Sequence, residues 1–161
     1  MRLTRAAEYA VRCVLYLAQR DRGALVNRQE IARQADIPAH FLAKIAQDLA
    51  KAGIIEIRQG MRGGFVLSKD PADINLLEVV ETMIGEILLN DCISRSSGCK
   101  ASDHCSVHRV WWKARDQLRA TLQQVSFKQL VAETACITTP IEALLAPTTI
   151  GAAEPNRNET Q

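Results

Sequence analysis

Apolar residues return at helical spacing near the start of the chain, with Leu3, Ala6, Ala7, Ala10, Cys13, Val14 and Leu17 on one face. Thr4 can cap this helix, which is expected to reach about Gln19. Cys13 sits within the stripe and reads as a core thiol. After the turn Asp21-Arg22-Gly23, the run Asn27-Arg28-Gln29-Glu30 has the form of a capping box and opens a short helix to about Gln34. Asp36-Ile37-Pro38 breaks it, and Pro38 suits the first turn of a third helix to about Ala52, with Phe41, Leu42, Ile45 and Leu49 inward. Gly53 supplies a left-handed stop. The strand-like runs Ile54–Ile57 and Phe65–Leu67 then flank a loop with three glycines. Asn75-Leu76-Leu77-Glu78 opens a helix to about Ile84, and 85–103 has no period. From 104 to 125, Val107, Val110, Trp111, Ala114, Leu118, Leu122 and Val125 follow helical spacing, and Ser126-Phe127-Lys128-Gln129 opens a closing helix to about Glu133.

Two short helices joined by a tight turn and followed by a hairpin outline a winged helix-turn-helix. The expected fold class is mainly α, with a two-stranded wing and a long C-terminal dimerisation helix. A helix of that length exceeds what one small domain needs for its own core, so it is expected to pack on its twin in a homodimer. Trp111 and Trp112 read as packing residues on it. The expected divisions are a winged DNA-binding domain over 1–84, a cysteine-rich loop over 85–103, the dimerisation and closing helices over 104–135, and a flexible tail over 136–161.

Charge sharpens this outline. The net charge of +2 is the remainder of a basic first half, +5 over residues 1–70, and an acidic second half, −3 over 71–161. A basic half with a winged motif points to double-stranded DNA at a promoter operator. Ala39, His40 and Lys44 lie away from the apolar face of the third helix and are expected to meet base edges or phosphates, with Gln47 and Lys51 reaching the backbone. Arg28 at the start of the short helix, and Arg58 and Arg62 in the wing, are further expected DNA contacts. No uncharged apolar stretch is long enough for a membrane helix, and Glu8 and Arg12 interrupt the N-terminal apolar region. A cytoplasmic protein with no membrane partner is expected.

Five cysteines in such a chain point to reduced thiols and metal or redox chemistry. Cys92 and Cys99 lie in the aperiodic segment and Cys105 just beyond it, with His108 three residues further on. With Cys105 in the first turn of the long helix, Cys105 and His108 would face one side. Three thiolates and an imidazole suit zinc or an iron–sulfur cluster, and the spacing has neither a C-x-x-C pair nor a ferredoxin run. Cys136 has no assigned role. No C-x-x-C, Ser-His-Asp or phosphate-loop signature supports an enzyme, and none is expected.

Met1-Arg2-Leu3-Thr4 with Tyr9-Ala10-Val11, the wing ending Gly63-Gly64-Phe65, the three-cysteine loop, and Val125-Ser126 through Leu130-Val131 recur in order. Over about residues 1–135 the chain resembles the iron–sulfur members of the Rrf-two family of bacterial transcription regulators. The resemblance implies a homodimeric DNA-binding regulator, in the repressor sense, whose cluster senses iron, redox state or nitric oxide. It implies Cys92, Cys99 and Cys105 as ligands of a two-iron or four-iron cluster. For the fourth ligand it offers His108, which is preferred, or Glu8 reaching across from the other subunit. Glu8 also reads simply as an i,i+4 partner of Arg12. The six-residue first cysteine gap departs by one from one subclass. A zinc-stabilised regulator and a thiol-based redox protein are the alternatives.

Overall fold

The computed structural model of the protein describes residues 3–93 and 104–134. Cys99, Cys136 and the expected tail over 136–161 lie outside these residues.

Helix α1 (Arg5–Ala18) starts where Thr4 turns extended and its hydroxyl accepts the Ala7 N–H at 3.3 Å. Ala7, Ala10, Cys13, Val14 and Leu17 are buried as the spacing predicts, whereas Leu3 is exposed and Ala6 half-buried. Helix α2 (Arg28–Gln34) is capped by Asn27, which accepts from the Gln29 N–H at 2.7 Å. The expected reciprocal arm of that box is not used. The Glu30 carboxylate instead takes the Tyr16 hydroxyl of α1 at 2.7 Å and the Arg20 guanidinium at 3.4 Å. This ties the first helix of the pair to α1.

Asp36 carries the turn at φ 52, a left-handed conformation that a residue other than glycine rarely adopts. Pro38 sits just outside helix α3 (Ala39–Lys51) as its N-cap residue rather than inside its first turn. Leu42, Ile45, Ala46 and Leu49 of α3 are buried, and Phe41 is half-buried against Tyr9 with ring centroids 5.4 Å apart. Gly53 follows at φ 69, as a helix-stopping glycine should.

Strands β1 (Ile55–Arg58) and β2 (Gly64–Leu67) pair antiparallel, with Arg58 opposite Gly64. The hairpin is fastened to the start of α2 by reciprocal Val26–Phe65 backbone hydrogen bonds of 3.0 and 2.9 Å. At Gly64 a Cβ would collide with the Val26 carbonyl, so this close approach requires glycine.

Helix α4 (Leu76–Ile84) is capped by Asn75, whose Oδ1 accepts the Glu78 N–H at 2.8 Å. It packs against α1 and α3 and, on its other side, against α5. The expected loop is not wholly irregular. Within its described part, Asp91–Ile93 form a 3₁₀ turn, and Ile87 and Ile93 are buried. Helix α5 (Ser106–Gln124) is shorter than the expected 104–125, because Cys105 is its N-cap residue and Val125 has already turned extended. Helix α6 (Phe127–Thr134) begins with a complete capping box. The Ser126 hydroxyl accepts the Gln129 N–H at 3.3 Å, and Gln129 Oε1 accepts the Ser126 N–H at 2.8 Å. Phe127 is fully buried in the same core as Leu42 and Ile31, so the closing helix completes the winged half of the chain.

Candidate nucleic-acid interface and cysteine site

Helix α3 packs against α2 and against strand β1 of the hairpin. Between the start of α2 and the hairpin lies a cleft of about 480 Å³, lined by Asn27, Arg28 and Gln29 on one wall and by Ile57 to Gly60 and Met61 on the other. Ala39, His40 and Lys44 of α3 are exposed, as are Gln47 and Lys51. The ring centroids of His40 and Phe41 lie 4.5 Å apart. Arg58 and Arg62 are exposed in the wing, and Met61 between them is fully exposed.

The cations are not equally available. Arg58 is paired with Glu56 at 3.0 Å, and Lys51 with Asp48 at 3.5 Å. Arg28, Lys44 and Arg62 have no carboxylate partner among the described residues. These three can neutralise phosphates without first giving up a salt bridge.

Cys105 and His108 stand at the start of α5, and the turn that bears Cys92 packs against that helix. Cys92 lies in the 3₁₀ turn, which packs against α5, and its thiol donates to Asn90 Oδ1 at 3.1 Å. Cys105 caps α5 with its backbone but makes no side-chain cap hydrogen bond, and both thiols are half-buried. One turn on, His108 Nε2 accepts the Trp112 indole N–H at 2.7 Å, and His108 Nδ1 is buried with no hydrogen-bond partner among the described residues. Thiols and an imidazole are the side-chain types that iron–sulfur and zinc centres use, and an orphaned buried ring nitrogen is one that a ligand could satisfy. Cys99 lies outside the described residues, and those residues alone hold no group of three ligating side chains. Glu8 is exposed on α1. Cys13 is set apart from this chemistry, because burial alone pushes its thiol up to about 12 and keeps it protonated.

Three features escaped sequence reasoning. Arg115 is the buried residue of α5, with its guanidinium 4.3 Å over the Trp112 ring and its Nη2 2.8 Å from Glu86 Oε1. Arg119 pairs with Glu81 and lies 3.9 Å from Glu86, so two arginines and two glutamates fasten α5 to the end of α4. The Trp112–His108 bond is the third, and its i,i+4 spacing was a usable signal. Trp111, expected to pack, is 39% exposed, with Val107 at 57% and Val110 at 64% beside it.

Comparison with known proteins accounts for most of the chain. The Rrf2 (Rrf-two) family, described as an iron-dependent transcriptional regulator, matches residues 3–133. A transcriptional regulator named NsrR from Shouchella clausii is 32% identical over 132 residues, covering 81% of this chain and 89% of its own length. One named IscR from Photorhabdus laumondii is 29% identical over 131 residues, covering 81% of this chain and 79% of its own. Among solved structures, IscR of T. potens superposes with a TM-score of 0.67 at 19% identity, covering 86% of this chain and 92% of that one. CymR, the global cysteine regulator of B. subtilis, gives the same TM-score at 19% identity, covering 82% and 97%. These relatives are regulators rather than enzymes, and they share the winged fold. No helix among the described residues is long and apolar enough to cross a membrane. The chain belongs to the Rrf2 family of DNA-binding transcription regulators.

Proposed function

We propose that the protein is a homodimeric repressor whose affinity for operator DNA is switched by an iron–sulfur cluster, held by Cys92, Cys99, Cys105 and His108. The observation that carries this reading is the buried His108 Nδ1, unpartnered among the described residues, three positions after Cys105 and on a helix packed against the turn that bears Cys92. The family's iron-dependent description supports iron over zinc. Glu8 of the partner subunit is the alternative fourth ligand, and its exposure on α1 keeps it available. The exposed Val107, Val110 and Trp111 supply an apolar face on α5 for a second copy of the chain. A double-stranded operator in the cytoplasm is the partner, with α3 entering the major groove and the wing following the backbone.

When bound, the cluster supplies a centre that responds to iron supply, oxidation or nitric oxide. The chain's own part is to couple that centre to α3. Helix α4 touches α3 and α1 on one side and α5 on the other, so a change at the start of α5 has a packed route to the DNA-facing helix. A difference of ~1–3 kcal/mol between the two states would change DNA affinity about 5–150-fold.

Anaerobically purified protein is expected to be brown, with visible charge-transfer absorption that Cys99→Ala abolishes while the dimer persists. A colourless protein carrying stoichiometric zinc would overturn the cluster reading. Binding to promoter fragments is expected to weaken with salt, at a log–log slope of about −0.9 per neutralised phosphate. Arg62→Ala should flatten that slope by about one phosphate and leave the cluster intact. Arg58→Ala should do less, because Glu56 already holds that charge.

A further inference from the structure

Metal-ligating histidines ordinarily present their second ring nitrogen to a hydrogen-bond acceptor, which fixes the tautomer and strengthens the ligand. His108 faces the opposite kind of group. Its Nε2 lies 2.7 Å from the indole nitrogen of Trp112, and an indole N–H can only donate. Nε2 therefore offers its lone pair to Trp112, and the neutral ring carries its proton on Nδ1, the buried atom without a partner among the described residues.

Ligation of iron by either nitrogen conflicts with this bond. A ligating Nδ1 must give up its proton to Nε2, where it would meet the indole N–H head-on. A ligating Nε2 would have no lone pair left for Trp112. On a neutral imidazole, the Trp112 hydrogen bond and ligation exclude one another.

We infer that Trp112 is a positioning residue that competes with the cluster for His108, so that loading the cluster releases the Trp112 indole N–H. This inference rests on the proposed reading of His108 as a ligand. It gives that position a built-in weakness, which suits a centre that must be lost as well as gained.

The release would not stay local. Trp112 carries the guanidinium of Arg115 on its face at 4.3 Å, and Arg115 holds Glu86 at 2.8 Å. Glu86 follows Gly85, the C-cap of α4, and Glu81 one turn back accepts the Ile87 N–H at 2.8 Å while pairing with Arg119. The end of α4 is thus linked to the Trp112 ring through Glu86 and Arg115.

The test uses the full chain, reconstituted anaerobically with iron and sulfide. Trp112→Phe keeps an aromatic ring for Arg115 and removes the N–H together with the five-membered ring that bears it. Its cluster is expected to be lost to a chelator about 2- to 10-fold more slowly than that of the native protein, the scale of one neutral hydrogen bond. In a His108→Ala background the same substitution should change nothing. The ultraviolet resonance Raman band that reports indole N–H hydrogen bonding should shift toward a weaker bond when the native protein is loaded, and Trp112→Phe should remove that shifting component. An unshifted band on loading, or equal loss rates with and without the indole N–H, would overturn the inference while leaving the cluster reading in place. A protein that takes up no cluster at all would overturn both.

Discussion

The winged half and helix α5 are built on different physics. In α1, a helix of 14 residues, five apolar side chains are buried. Four of them, Ala10, Cys13, Val14 and Leu17, join Ile31, Leu42, Ile45, Leu49, Ile54 and Phe65 in one core. In α5, 19 residues long, the buried residue is an arginine, held by ring stacking and carboxylates. Exclusion of water specifies the first region, and its shape is set by side-chain volume. Ion pairs and a few contacts from Leu118 and Leu122 dock the second, and they leave its N-terminal apolar face open. A regulator gains from this division. The winged body is held by apolar packing, while the helix that carries His108 is held by interactions that can be exchanged.

Truncation in the two regions should expose the contrast most strongly. Leu42→Ala empties a fully buried position of α3 and should cost ~2–5 kcal/mol in urea unfolding. Leu118→Ala, at a half-buried position of α5, should cost about 1 kcal/mol, in line with its smaller loss of buried area. Equal costs would mean that α5 belongs to the core as firmly as α3 does. The comparison would then fail.

The buried thiol sharpens the comparison through pH. The folded protein holds the Cys13 pKa at about 12, above the ordinary 9.0, because burial penalises the thiolate. A raised folded-state pKa contributes stability that is complete below pH 9 and is lost as pH climbs from 9 toward 12, at about 1.4 kcal/mol per pH unit within that window. Cys13→Ala should remove this slope, seen as a flatter fall of the urea midpoint between pH 9 and 11. Matching slopes in the two proteins would show that water reaches the thiol and that the α1 core is looser than its packing implies.

Docking of α5 should respond more mildly. Arg115→Ala leaves Glu86 without its main partner, but Glu86 is exposed enough for water to compensate, so a loss of about 1 kcal/mol is expected. Hydrogen exchange should accelerate at the end of α4 and along α5, and not in α3. Faster exchange in α3 itself would show that the two regions are one cooperative unit.

Much of this contrast was legible in residue order, and the rest depended on what folds across what. The caps at Thr4, Asn75 and Ser126 follow from local spacing, since each oxygen reaches the N–H three residues on. The wing followed from its glycines, and the basic side from charge. Glu30 and Glu78 look the same in sequence as Gln129, yet only Gln129 closes its box. The other two are taken by Tyr16 with Arg20 and by Lys69, partners that only tertiary folding brings near. The apolar stripe of α5 predicted a continuous face, whereas the helix turns Leu118 and Leu122 to α4 and Val107, Val110 and Trp111 to solvent. Of the cysteine site, the residue types were readable in sequence and the donor facing His108 was not. Which ring nitrogen is claimed depends on the rotamers of two side chains.

The smallest expected effect lies in the turn between α2 and α3. Asp36 holds φ 52 there, with its backbone carbonyl 3.4 Å and its carboxylate 3.6 Å from the Arg12 guanidinium of α1. The carboxylate is almost wholly in solvent, so the ion pair adds little against the strain of a left-handed aspartate. Asp36→Gly should relieve that strain and stabilise the protein by ~0.5 kcal/mol, read as a small rise in the urea midpoint with an unchanged m-value. DNA affinity should hold within about twofold, because the carbonyl contact to Arg12 survives the substitution. A clear loss of stability would show that Arg12 needs the carboxylate, and that the winged half, like α5, relies on an ion pair to seat one of its helices.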